Sequence, residues 1–184
     1  MSLDDEKRAA RKAAFARRKE AHAKPGASGG LLSSVLAGYR GVPLAGYMPI
    51  TTEIDPRPAM EEAAAHGTVC VPVILAAATP LKFALWEPGM QLVEGAFKAQ
   101  IPAEPEFATP EIVIVPLVAF TRNGGRLGYG GGFYDRTLEG LRAARPTLAV
   151  GFAYGAQEAD ELPLEATDQP LDLIVTENEI IDLR

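Results

Sequence analysis

Apolar positions along the chain gather into short runs, separated by polar stretches and by glycine and proline. Runs at residues 45–50, 68–75, 82–86, 112–120, 147–152 and 172–176 predict strands. Ile112, Val113, Ile114 and Val115 form the densest β-branched stretch and predict the buried central strand. Helices are predicted between the strands. One covers 4–24, opened by Asp4, Asp5 and Glu6 and stopped by Pro25-Gly26. A short one covers 31–37, a third starts at Pro58 and ends at His66-Gly67, and a fourth covers 132–144. Residues 91–110 carry repeated prolines and are expected to be irregular, covering one end of the sheet. Strands alternating with helices predict an α/β fold, a single-domain sandwich with a central, mostly parallel sheet flanked by helices. In such a sheet ligands gather beyond the carboxyl ends of the strands. The segments falling there are 51–55, 87–90, a glycine-dense turn after residue 125, Ala153-Tyr154 and Glu177-Asn178.

At 184 residues the chain is long enough for a substantial core. It holds no apolar run approaching the roughly 20 residues that span a bilayer. The charged N-terminus has no apolar segment of a signal peptide. A single cysteine, Cys70, excludes an internal disulfide framework and suits a reducing cytoplasm. Its apolar surroundings predict a packing role. The two histidines, His22 and His66, stand in polar helical contexts and suggest no zinc site. The net charge of −6 is unevenly spread: residues 1–24 hold eight Lys or Arg against four Asp or Glu. A basic helix on an acidic body fits nucleic acid or an anionic membrane, a solvated face docking on its own body, or a helix whose first turns reach a phosphate site. Lys7 and Arg11 are i,i+4 and share one face. Composition does not choose among the three.

Between Arg126 and Asp135 the chain reads Arg-Leu-Gly-Tyr-Gly-Gly-Gly-Phe-Tyr-Asp. A strand, a glycine turn and a helix start suit an anion. Glycine lets the backbone approach closely and adopt positive φ. The free N–H groups at a helix start favour negative charge. The turn lacks the Gly-Lys-Ser/Thr of a P-loop, and Phe133 stands where a dinucleotide fingerprint needs its third glycine. Glycine content alone is also explained by a tight structural turn. An arginine before the glycines and a carboxylate after them are not, since a plain turn needs neither.

These residues, together with Pro116 and Ala119-Phe120, resemble the signature of the 5-formyltetrahydrofolate cyclo-ligase family. Lys7-Arg8 with Arg11, the segment from Tyr47 to Asp55, Gly67, Val71-Pro72-Val73 and Phe83-Ala84-Leu85-Trp86 follow in the family's order. The resemblance spans about residues 7–176. Thr121 departs from the family's usual acidic residue, and Gly131 replaces a lysine of animal members, leaving arginines and Lys7 to meet phosphate charge. The resemblance implies ATP- and Mg²⁺-dependent cyclisation of 5-formyltetrahydrofolate to 5,10-methenyltetrahydrofolate in the cytoplasm. It implies a monomer that takes a small-molecule substrate and binds neither nucleic acid nor membrane.

Roles follow position by position from the same resemblance. Lys7, Arg11 and the run Arg126, Leu127, Gly128, Tyr129, Gly130, Gly131, Gly132, Phe133 and Tyr134 would bind ATP. Arg126 and Tyr134 would be catalytic. Met48, Glu53 and Trp86 would bind the folate, with Tyr129 to Phe133 touching it too. Asp135 and Asp172 would hold Mg²⁺. Read as residues alone, Asp135 is equally a helix-start acid, Asp172 a strand-edge charge and Trp86 a core aromatic. Two other classes share these features: a sugar-phosphate isomerase or CoA-transferase-like enzyme with the same architecture, and a non-catalytic nucleic-acid-binding relative.

Overall fold

Ile112 and Ile114 pack into one hydrophobic cluster, and Val113 and Val115 into another. This alternation is the period of two expected of a strand covered on both faces. The computed structural model describes residues 1–26, 29–165 and 168–184. In chain order the elements are α1 (Leu3–Ala23), α2 (Gly30–Ala37), β1 (Leu44–Ala45), α3 (Arg57–Ala64), β2 (Val69–Val73), β3 (Lys82–Leu85), β4 (Leu92–Glu94), β5 (Gln100–Pro102), β6 (Phe107–Ala108), β7 (Ile112–Pro116), β8 (Ala119–Phe120), β9 (Arg126–Leu127), α4 (Phe133–Ala144), β10 (Leu148–Phe152), β11 (Leu173–Val175) and β12 (Ile180–Asp182). The main sheet runs β12-β11-β10-β7-β1-β2-β3-β6. Its middle pairings, from β11 through β2, are parallel, and its outer ones are antiparallel. Helices α2 and α3 contribute Leu32, Leu36, Ala59 and Met60 to the core on one face; α4 contributes Leu138 on the other. The chain is thus a mixed α/β fold with a mostly parallel central sheet flanked by helices. Among the described residues no helix is long and apolar enough to cross a membrane.

Several boundaries differ from the expectation. The apolar run at 112–120 is two strands. β7 ends at Pro116, which has no N–H to continue a ladder, and β8 pairs instead with β9 in a separate ribbon. The expected strand at 45–50 shrinks to β1, because Gly46 passes against Met60: a Cβ there would lie 2.4 Å from the Met60 sulfur. Beyond it the chain turns, with Glu53 N donating to Ile50 O. Residues 91–110 are not irregular. β4 and β5 form a hairpin, and β6 adds an edge to β3. The last strand, β12, pairs antiparallel with β11 and was not anticipated from sequence.

Helix α1 is capped by Ser2, whose Oγ accepts from Asp5 N at 3.2 Å. It lies over the carboxyl ends of the strands. Ala14 packs with Val118, Ala119 and Leu127, and Arg17 Nε donates to Ala156 O at 2.8 Å. His22 Nδ1 is 3.0 Å from the Tyr154 hydroxyl. The segments after β1, β7 and β10 and one helix therefore converge at the end of the sheet where α/β folds collect ligands.

Candidate functional site

The glycine turn is crowded by its neighbours, and two of its positions need the left-handed backbone that glycine tolerates. Gly130 and Gly132 have φ of +103° and +68°. A Cβ on Gly130 would come within 3.3 Å of Arg11 Nη2, and one on Gly132 within 2.9 Å of Arg136 Nη1. Arg11 Nε donates to Gly128 O at 2.8 Å, and Arg136 Nη2 to Gly131 O at 2.6 Å. Arg136 also lies 5.2 Å from the centre of the Phe133 ring. Arginines thus hold the turn from two sides, one from α1 and one from α4.

Arg126, on β9, is 7% exposed and its Nη2 donates to Asp135 Oδ1. Burial pulls its guanidinium below the ordinary value; Asp135 and then Asp168 oppose that shift. The group remains a cation, since arginine does not deprotonate in proteins. Among the described residues, Arg126 Nε and Arg136 Nε are buried donors with no partner. Unmet buried donors are costly, and here two of them flank a turn rich in glycine. That donor set fits an anion such as a polyphosphate. Lys7 Nζ contacts Glu165 Oε1 at 2.5 Å and is the further cation on this side.

Glu53 stands beyond the turn. Its Oε1 accepts from Ile50 N at 2.8 Å and its Oε2 from the Tyr129 hydroxyl at 2.9 Å. Burial raises its pKa, against which the Ile50 and Tyr129 hydrogen bonds and the charge of Arg18 act. Burial also raises the hydroxyl of Tyr134, with the charge of Glu53 adding and that of Arg126 opposing. Tyr129 therefore joins the glycine turn to the Glu53 carboxylate. Met48 and Trp86 belong to one buried cluster. Met48 also lines a cavity of about 330 Å³ with Ile50, Thr51, Arg57, Phe97 and Lys98. Trp86 follows β3, and its backbone N–H donates to Val69 O at the start of β2, away from the glycine turn.

Asp135 Oδ1 also accepts from Gln169 N at 2.8 Å, and among the described residues its Oδ2 has no hydrogen bond. Asp172 Oδ2 accepts from Ala149 N at 2.7 Å and pairs with Arg142 Nη2 at 3.1 Å. Gln169 links the two carboxylates, since its Oε1 takes Arg142 Nη1 at 3.3 Å. Among the described residues no group of three or more His, Cys, Asp or Glu could hold a metal by itself. Magnesium carried on phosphates needs only one or two carboxylates, and Asp135, beside the turn with one free oxygen, fits that role. Sequence reasoning missed Arg18 and Arg136. For Arg18 the available signal was spacing, because Lys7, Arg11 and Arg18 share one face of α1.

Comparison with known proteins bears on the family. The profile of the 5-formyltetrahydrofolate cyclo-ligase family matches residues 37–177. The 5-formyltetrahydrofolate cyclo-ligase of Escherichia coli K12 is 35% identical over 141 residues, 73% of this chain and 77% of its own. That of Haemophilus influenzae is 40% identical over 101 residues, 53% of this chain and 49% of its own. The solution structure of Aquifex aeolicus 5,10-methenyltetrahydrofolate synthetase superposes with a TM-score of 0.64 at 28% identity, covering 100% of this chain and 86% of that one. Fold, glycine turn and these matches lead to one conclusion: the chain belongs to the 5-formyltetrahydrofolate cyclo-ligase family.

Proposed function

We propose that this chain catalyses the ATP-dependent cyclisation of 5-formyltetrahydrofolate to 5,10-methenyltetrahydrofolate, releasing ADP and phosphate. The observation that carries the reading is the Tyr129–Glu53 hydrogen bond of 2.9 Å, which makes the anion-binding turn and a buried carboxylate parts of one site. An N-formyl carbonyl is amide-like and a poor electrophile. Transfer of the γ-phosphoryl to its oxygen converts that oxygen into a leaving group. N10 then attacks the formyl carbon and loses its proton, and phosphate departs. Little of this requires covalent help from the protein; it requires positioning and charge neutralisation.

Lys7, Arg11 and the turn from Arg126 to Tyr134 receive the nucleotide in this reading. Arg126 brings its free Nε to the phosphoryl oxygens as their charge builds. Tyr134, at the start of α4 and within the fields of Glu53 and Arg126, keeps its hydroxyl protonated and so serves as a neutral donor beside the turn. Glu53 accepts from the amino and ring N–H groups of the pterin, a donor pair that a carboxylate matches. Met48 supplies apolar surface for the ring system, while Trp86, at the other end of the sheet, stays a core aromatic. Asp135, with Asp172, would hold Mg²⁺, which neutralises phosphate charge. The test is the absorbance of methenyltetrahydrofolate on mixing protein with 5-formyltetrahydrofolate, ATP and Mg²⁺. Product that requires both ATP and Mg²⁺ is expected; no product, or a melting temperature raised by sugar phosphates or acyl-CoA but not by ATP, rejects the reading.

A further inference from the structure

Arg18 is the most deeply buried charged side chain of the described residues, at 1% exposure. A buried cation is expensive unless paired and hydrogen-bonded. Among the described residues no carboxylate touches it. Its three nitrogens each find a different hydroxyl: Nε meets Thr52 Oγ1 at 3.0 Å, Nη2 meets Thr51 Oγ1 at 3.0 Å and Nη1 meets the Tyr129 hydroxyl at 2.6 Å. Thr51 and Thr52 immediately precede Glu53, and Thr51 is held at φ +50°, a left-handed conformation unfavourable for a β-branched residue. Tyr129 belongs to the glycine turn, and its own hydroxyl donates a hydrogen bond to Glu53 Oε2. The guanidinium lies 4.9 Å from the centre of the Phe15 ring and 5.6 Å from that of Tyr129. The negative charge that answers it is Glu53, one hydroxyl away.

A residue that only anchored α1 would not need its full fork spent on two separate functional segments. Resting on the function proposed above, we propose that Arg18 is a positioning residue for Glu53, the carboxylate that receives the substrate. It clamps the Thr51-Thr52 segment and the Tyr129 hydroxyl together, and so fixes the direction in which Glu53 faces the pterin. Arg18 reaches no reacting atom; it acts through Thr51, Thr52 and Tyr129. The planar fork is essential, because only three donors in one plane meet three hydroxyls at once. The same helix carries Lys7 and Arg11 to the nucleotide side, so α1 addresses both halves of the site with different residues.

The experiment compares wild type, Arg18→Met, Arg18→Lys, Tyr129→Phe and the Met/Phe double variant, by melting temperature and by separate KM values for 5-formyltetrahydrofolate and ATP. Arg18→Met is expected to raise the KM for the formyl substrate about tenfold or more, the scale of a lost hydrogen bond to a charged group, with the KM for ATP within about twofold. Arg18→Lys should restore only part of the loss. The double variant should fall short of the sum of the two single effects, since they share the Arg18–Tyr129 contact. A formyl KM unchanged in Arg18→Met, equal effects on both substrates, or full additivity in the double variant would overturn the proposal. If Arg18→Met does not fold, Arg18→Lys and Tyr129→Phe alone decide, because an unchanged formyl KM in both overturns it equally. A wild-type protein that makes no methenyl product rejects the functional reading itself; a turning-over wild type with indifferent Arg18 variants rejects only this inference.

Discussion

Arg126 and Asp135 touch across the glycine turn, from Arg126 Nη2 to Asp135 Oδ1, and the contact leaves Arg126 Nε buried without a partner among the described residues. One edge of the guanidinium is thus fixed by the carboxylate while another donor stays open toward the turn. Arg126→Ala is expected to lower kcat by about 10² or more, the scale of removing one preorganised donor from a developing charge. Arg126→Lys should lie between, keeping charge but losing the fork. The melting temperature of Arg126→Ala should fall as well, because Asp135 loses its ion-pair partner. Steady-state kinetics beside thermal unfolding checks both parts; turnover of the alanine variant within twofold of wild type would remove Arg126 from the chemistry.

Glu53→Gln separates charge from shape. Glutamine keeps the size but presents an amide nitrogen to the donors of the pterin, so the formyl KM should rise about 5- to 150-fold, equivalent to about 1–3 kcal/mol, with little change for ATP. The pH dependence has a definite sign. Burial lifts Glu53 above its ordinary 4.5, so the folded protein binds that proton more tightly than the unfolded chain. The resulting contribution to stability is complete below pH 4.5 and is lost as pH rises through the raised folded value. Glu53→Gln should therefore lose less stability than wild type over that rise. Substrate affinity moves oppositely: the wild type needs the ionised carboxylate and should weaken as pH falls through the raised value, while the variant stays flat. Parallel stability profiles for the two proteins would show that Glu53 is not the group that titrates.

The sequence made some of this legible and hid the rest for identifiable reasons. α1 and β7 were readable because acidic residues open the one and a dense β-branched run forms the other. The departure of β8 from the main sheet was not, since the apolar run from Ile112 to Phe120 is continuous and only Pro116 marks the break. β5 and β6 lie among Pro102, Pro105 and Pro110, which edge strands tolerate and pattern reading takes for loop. The glycine turn announced itself through composition. Arg18 left only the faint signal of sharing one face of α1 with Lys7 and Arg11, which a solvated basic face shows equally; only the fold turns it inward.

Lys7 illustrates how a surface carboxylate can compete with a ligand. Its Nζ is taken by Glu165 at 2.5 Å, and the Glu165 side chain is 44% exposed. Such pairs are worth only about 0.2–1 kcal/mol, so nucleotide phosphates can displace the carboxylate. Glu165→Gln should lower the KM for ATP by about 1.4- to 5-fold through that same energy, leaving the formyl KM unchanged. Lys7→Ala with Arg11→Ala should raise the KM for ATP far more than that for the formyl substrate. Isothermal titration with a non-hydrolysable ATP analogue reads the effect directly. Weaker nucleotide binding in Glu165→Gln would mean that the pair organises the site rather than competing with it.

Asp135 and Asp172 differ in what already holds them, and the difference predicts distinct metal responses. Asp135 sits beside the turn with Oδ2 free of hydrogen bonds among the described residues, whereas Asp172 is tied through Oδ2 to Ala149 N and Arg142. Asp135→Asn should move the midpoint of rate against Mg²⁺ to higher concentration, and added Mg²⁺ should recover part of the lost rate because occupancy follows mass action. Asp172→Asn should shift the same curve less; both variants should lower the melting temperature, since Arg126 loses its partner in one and Arg142 in the other. Chelation should stop turnover in all three proteins. The measurement is rate against Mg²⁺ at fixed ATP, with a melting curve for each. Superimposable Mg²⁺ curves would take both aspartates out of the metal site and leave Asp135 as the partner that orients Arg126.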